Sequence, residues 1–204
     1  KWIHLPWDVV DNDFFEKNSK LNPCTTKPHF LSVGRFIRKK NIEGLLKAYN
    51  KYQLEGGKWG LKLIGTGPEE TKIRSISNLL HNASKFKIIP FQQIDQLAYS
   101  YSQASAYILA STSDQWGLVI NEAIASGLPC LVSNSCGCAI DLIDHGKTGW
   151  SFNPLNTDEL ASLLFKVENQ TKTQKNQMII AAKEKLDNFN LDSSKVNVFG
   201  GAVS

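Results

Sequence analysis

Residues 106–134 read AYILASTSDQWGLVINEAIASGLPCLVSN, and their order of patterns decides the fold. The stretch opens on a short apolar run, AYILAS (106–111), too short for a buried helix and right for a buried strand. A polar loop follows, and then VINEAIASG (119–127) carries apolar residues at helical spacing up to a terminating Gly127. PCLVSN (129–134) is a second apolar run. Strand, helix and strand in so few residues form a β-α-β unit. Strands that are apolar throughout, and not on alternate residues, are buried on both sides. That pattern predicts a parallel sheet with helices on both faces.

The same alternation extends in both directions. Upstream, strands are predicted at HFLSVG (29–34), LKLIG (61–65) and FKIIPF (86–91). Between them, Asn41 reads as the N-cap of a helix carrying Ile42, Leu45, Leu46, Tyr49 and Tyr52, stopped by Gly56-Gly57. Segment 69–81 places Ile73, Ile76, Leu79 and Leu80 on one helical face, and Ile94, Leu97, Ala98 and Tyr101 mark another helix. Downstream come a short helix at 139–144 and a strand at GWSF (149–152). A helix with an Asn156/Glu159 capping box follows, and then a Lys-rich helix over 172–188. Residues 1–28 have no sustained period and are rich in Asn, Asp, Pro and Thr, so they read as a connector. In a sheet of this class, ligands bind at the carboxyl ends of strands near a switch in strand order. The loops after Gly34, Gly65, Pro90, Ser111 and Asn134 therefore hold the candidate chemistry.

Bulk properties narrow the function classes. The chain has 204 residues, 42% hydrophobic and 21% charged, which is one ordinary globular domain plus extra segments. A net charge of +4 suits an anionic small ligand and does not single out nucleic acid. No apolar run is long enough to cross a bilayer, and no signal-peptide pattern opens the chain. The chain begins at Lys1 without Met, which reads as an internal boundary or a cut. Cys24, Cys130, Cys136 and Cys138 lack zinc spacing and read as free thiols of a reducing, cytoplasmic compartment.

In GRFIRKKN (34–41), Arg35 and Lys40 stand at the two ends of a strand-to-helix turn, a good arrangement for clamping a diphosphate. Arg38 and Lys39 read as a solvated basic face. GTGP (65–68) has Glu70 where the dinucleotide fingerprint wants its third glycine, so a tight turn and a ligand contact both fit it. In the loop after 111, Asp114 and Glu122 flank Gly117. Carboxylates accept well from sugar hydroxyls, and a glycine lets the N–H groups of Gly117, Leu118 and Val119 approach a ligand. Stabilisation of the helix start explains one acid but not the aromatic-glycine loop between the two. Gly137 in SNSCGCAID (133–141) fits a plain turn as well as a contact with the same crevice.

Together these segments resemble the C-terminal, donor-binding domain of a GT-B glycosyltransferase, in the large retaining family 4, or glycosyl transferases group 1. The resemblance spans about residues 29–170. It is carried by SVGRFIRKKN, LKLIGTGP, SDQWGLVINEAIASGLPCLVS and DHGKTGWSFNPLNTDELA. It implies a Rossmann-like three-layer fold over 29–188 and transfer of a sugar from a UDP- or GDP-type donor with retention. Arg35 and Lys40 would hold the diphosphate, Glu122 the ribose hydroxyls, and Asp114 the transferred sugar as the candidate catalytic residue. The amides of Gly117, Leu118 and Val119 would lie near sugar and phosphate, and the base near Pro90 and Phe91. No metal or other cofactor is implied.

Four positions depart from the family pattern. Asp114 stands for the usual Glu, Asn41 for glycine, Cys138 for the second of two glycines, and Asp141 for Glu. The resemblance also implies a partner, an N-terminal acceptor domain with the active site in the cleft between the two. VVDNDFF (9–15) then reads as the hinge into the second domain, 1–28 as connector, and 189–204 as a tail left loose without that partner. Such a chain would bind donor and not transfer it alone. Peripheral membrane contact would come through the absent half. Two other functions compete: a non-catalytic module that senses a sugar nucleotide, and a redox domain, which the incomplete Gly-x-Gly-x-x-Gly disfavours.

Overall fold

The computed structural model describes residues 10–187. The tail expected over 189–204 and the first nine residues of the connector lie outside them. Six parallel strands form one sheet: β1 (His29–Val33), β2 (Gly60–Ile64), β3 (Phe86–Ile89), β4 (Ala106–Leu109), β5 (Cys130–Ser133) and β6 (Trp150–Phe152). Their spatial order is β3-β2-β1-β4-β5-β6, so the order reverses between β1 and β4. This is the doubly wound Rossmann arrangement, with its ligand crevice at that reversal.

The strands are apolar throughout because both faces are covered. Phe30, Leu61, Leu63, Ala106, Ile108 and Leu131 point to one side, where α2 (Ile42–Leu54), α3 (Glu70–Ser77) and α7 (Thr157–Glu168) pack. Leu31, Ile64, Tyr107, Leu109, Cys130 and Val132 point to the other. There α1 (Asn12–Leu21), α4 (Ile94–Ser102), α5 (Val119–Ala125), α6 (Gly137–Leu142) and α8 (Lys172–Leu186) pack. The period of two along each strand thus feeds two separate cores.

Several expectations are corrected. The connector contains a ten-residue helix, α1, capped by Asp11, whose carboxylate accepts from Phe14 N (2.9 Å). Only Phe14, Phe15 and Leu21 of α1 are large apolar residues, too few to show a period, yet Phe15 is fully buried against α4. Leu79 lies beyond the end of α3 and is 82% exposed, while Ile73 and Leu80 are buried. Asn156 caps α7 by accepting from Glu159 N, but Glu159 turns to Asn153 N, so only half of the capping box forms. A full box stands instead at Thr171 and Gln174, at the start of α8. The short helix begins at Gly137, two residues before its expected start.

Candidate functional site

β1 and β4 diverge before either strand ends. They pair at Phe30–Ala106 and Leu31–Tyr107 and no further, so Val33 has no β4 partner. The Tyr107 hydroxyl takes that role: it accepts from Val33 N (3.1 Å) and donates to Val33 O (3.2 Å). A splayed pair of strands with its orphaned backbone satisfied by a side chain makes a crevice without unpaired polar groups.

The loop after β1 forms one wall. Arg35 is exposed at its start, followed by a 3₁₀ turn, Arg38–Lys40. That turn folds Lys40 back across Gly34, with its side-chain Cε 3.6 Å from where a Gly34 Cβ would stand. Asn41 is not a side-chain cap. It adopts a left-handed conformation (φ 51°), and its Nδ2 donates to Ala110 O (3.2 Å) and Pro154 O (2.8 Å). A positive φ suits glycine, and Asn is the side chain that best tolerates it. The departure at this position therefore keeps the backbone and adds a tie between three loops.

The loop after β4 forms the other wall. Asp114 Oδ2 accepts from Lys40 Nζ (2.6 Å) and from Ser111 Oγ (2.8 Å), so two expected site residues meet directly. The pair is largely shielded, with side-chain exposures of 19% for Lys40 and 13% for Asp114. Thr112 N donates to Lys39 O (2.8 Å), which fastens the two walls together. Gly117 has φ 103°, and a Cβ there would stand 2.8 Å from Leu109 Cδ2, so both conformation and space require glycine. The N–H groups of Gly117, Leu118 and Val119 donate to no acceptor among the described residues. Gly137 packs its α-carbon against the Gln115 carbonyl, beneath the same loop, which explains it without a ligand.

Glu122 sits in the first turn of α5, half-buried, and accepts from Tyr101 Oη (2.7 Å). Burial pushes its carboxyl above the ordinary range, against the lowering effect of the Tyr101 hydrogen bond. Burial also raises the Cys130, Cys136 and Cys138 thiols, Cys136 to about 11, so none is a ready nucleophile.

From Arg35 the crevice continues as a mostly apolar hollow of about 460 Å³ lined by Val33, Gly65, Gly67, Phe91 and Leu97. Phe91 is 67% exposed, and with Pro90 it also borders an adjoining hollow at the edge of β3. The glycine turn after β2 is explained by contact: a Cβ on Gly65 would collide with Gly34 O. The structure thus brings Lys40 and Asp114 together at the strand-order reversal, with Arg35 at the start of one wall, Gly117 in the loop of the other, Pro90 and Phe91 along the extension, and Glu122 on the first turn of α5. Sequence reading passed over Ser111 and Tyr107, and took Tyr101 only as a core position. A tyrosine at a core position gives no sign of where its hydroxyl goes.

The glycosyl transferases group 1 family model matches residues 13–185. The chain belongs to that family. An uncharacterized glycosyltransferase of Haemophilus influenzae is 28% identical over 130 residues, 64% of this chain and 36% of its own length. The pneumococcal O-GlcNAc transferase GtfA, solved in complex with UDP and GlcNAc, superposes with a TM-score of 0.74 at 20% identity. That match covers 86% of this chain and 35% of that one. The C-terminal domain of the glycosyl transferase group 1 protein LpcC from Francisella tularensis matches over 89% of this chain and 99% of its own, with a TM-score of 0.73 at 15% identity. These likenesses show the fold, that of GT-B glycosyltransferases. The chain spans about a third of the Haemophilus relative, and the family match starts at residue 13, inside α1.

Proposed function

We propose that this chain is the nucleotide-sugar-binding domain of a retaining glycosyltransferase of the family 4 type, taking a UDP- or GDP-linked sugar. The observation that carries the reading is the meeting of Lys40 with Asp114 at the β1–β4 reversal, beside Arg35 and the open amides of residues 117–119. Arg35 and Lys40 hold the diphosphate. Arg35 grips two oxygens and Lys40 acts as a point charge. Glu122 accepts from the ribose hydroxyls, Asp114 faces the transferred sugar, and the base lies along Phe91 and Pro90. Charge on the diphosphate is offset by the two cations and the amides, so the reading asks for no metal.

The UDP bound to GtfA, whose fold this chain shares, supports a uridine-type donor. The reading includes an N-terminal acceptor domain that closes over the crevice to orient the reactants and exclude water. A cytoplasmic location, with peripheral membrane contact through that acceptor half, belongs to the same proposal. Among the described residues no helix is long and apolar enough to cross a membrane.

A thermal-shift screen tests it. UDP, GDP and their sugars raise the melting midpoint by an amount that grows with the logarithm of concentration over affinity. NAD raising it while every nucleoside diphosphate leaves it unmoved would overturn the reading in favour of a redox domain.

A further inference from the structure

Glu122 is assigned to the ribose, but a carboxylate on a short side chain reads hydroxyls well only if it is held in one orientation. The holder is not on α5. Tyr101, fully buried on α4, donates its hydroxyl to Glu122 Oε2 at 2.7 Å, and Val119 O at 3.4 Å is a poorer second acceptor. The phenol ring has little freedom. Phe15 of α1 meets it edge-on with centroids 5.7 Å apart, and Tyr107 of β4 lies 5.5 Å away on another side. Tyr107 is in turn fixed by Val33, the last residue before the Gly34–Arg35 loop. A continuous set of buried contacts therefore joins the acid on α5 to the end of β1.

We propose that Tyr101 is a positioning residue for Glu122: its hydroxyl occupies Oε2 and fixes the carboxylate, leaving Oε1 as the acceptor for a ribose hydroxyl. This rests on Glu122 being the ribose acceptor. A phenol is well suited to the task. It donates one hydrogen bond to the charged form, packs in an apolar layer, and brings no cation that would compete with the sugar. Among the described residues, Tyr101 and Tyr107 are the titratable groups that interact with Glu122. Of the four lysines of α8, which packs on α5, three are engaged elsewhere, Lys175 with Ser105 O, Lys183 with Glu16 and Lys185 with Asp144, and Lys172 is exposed at the helix start. Glu16, on α1, is therefore held by Lys183 and by Lys20. The assignment also gives α1 a purpose, since Phe15 braces the ring that braces the acid.

The test is calorimetric titration of UDP and of pyrophosphate into the 204-residue chain between pH 5 and 8. The proteins are wild type, Tyr101→Phe, Glu122→Gln and the double variant, each checked by circular dichroism. Tyr101→Phe weakens UDP about five- to tenfold at pH 7, the size of one ordinary net hydrogen bond. It leaves pyrophosphate unchanged and moves the acid-side midpoint of UDP binding to higher pH. The double variant matches Glu122→Gln, because there is no longer a carboxylate to position. Equal losses for both ligands, additive losses in the double variant, or an unmoved midpoint would overturn the assignment. If Glu122→Gln itself shows no preference for losing UDP, the ribose reading fails and this one with it. A selective Glu122→Gln beside a silent Tyr101→Phe defeats the positioning role alone. Should Tyr101→Phe not fold, 3,5-difluorotyrosine incorporation strengthens the phenol as a donor and moves the midpoint to lower pH. No movement would again overturn the assignment.

Discussion

Replacing Asp114 with Asn separates two jobs that the crevice asks of neighbouring groups. In the free protein the Lys40 ammonium is neutralised by Asp114 at 2.6 Å. A diphosphate arriving on the other side of Nζ must accept a carboxylate close by. At a separation of about 5 Å and an effective dielectric of about 20, each phosphate charge is repelled by about 3 kcal/mol. Ionic screening at physiological salt removes roughly half of this. The remaining ~1.5 kcal/mol for the nearest phosphate charge alone corresponds to about a tenfold change in affinity. Asp114→Asn keeps the shape and can still accept from Ser111, but it leaves Lys40 free for phosphate. UDP, which has no sugar, is therefore expected to bind about tenfold tighter. A UDP-sugar gains less, because the acceptor for its hydroxyls is weakened at the same time. Titration calorimetry of both ligands against wild type and variant, at two salt concentrations, measures the difference. Unchanged or weaker UDP binding at low salt would refute the idea that Asp114 restrains a phosphate-binding Lys40.

Three further outcomes are expected. Gly117→Ala costs about 2 kcal/mol or more in urea unfolding, because alanine is strained at φ 103° and its Cβ would crowd Leu109; a loss under about 0.5 kcal/mol would contradict this. Glu122 has a raised folded-state pKa, so it favours the fold most below the ordinary carboxyl range, and that contribution is lost as pH rises through the folded value. Thermal melts should then show Glu122→Gln gaining on wild type as pH climbs from 4 to 7, while wild-type UDP affinity falls as the solution is made acid; a pH-independent gap would remove the buried-carboxyl account. The isolated chain, incubated with its best nucleotide sugar and a panel of sugar and lipid acceptors, should show slow donor hydrolysis at most, and product formation on the order of 1 per second or faster would mark it as a complete enzyme.

Strand placement was legible because parallel strands buried on both faces leave continuous apolar runs. Each of the six predicted strands lies within two residues of its observed bounds. The reversal between β1 and β4 was not legible, since strand order depends on which helices cross which face. α1 was hidden because its one deeply buried aromatic, Phe15, sits among Asn, Asp, Lys and Glu. Leu79 misled because it continues a helical period past the residue where the helix stops. At the site, charged residues beside glycine loops were readable as chemistry. Their supports were not. Tyr101 and Tyr107 reach residues that are near only after folding, Ser111 is one of several hydroxyls in its loop, and Asn41 works through a backbone conformation that its side chain does not announce.

The central claim is that the β1–β4 crevice takes a nucleoside diphosphate through Arg35 and Lys40. Its most direct test is calorimetric titration of UDP, GDP and NAD into the chain and into the Arg35→Ala/Lys40→Ala variant. Each cation supplies a charge-assisted contact worth on the order of 1.5–3 kcal/mol. The account predicts saturable binding of a nucleoside diphosphate, none of NAD, and at least a tenfold loss in the variant with its melting curve still cooperative. Unchanged affinity in the folded double variant, or NAD binding as tightly as UDP, would contradict it.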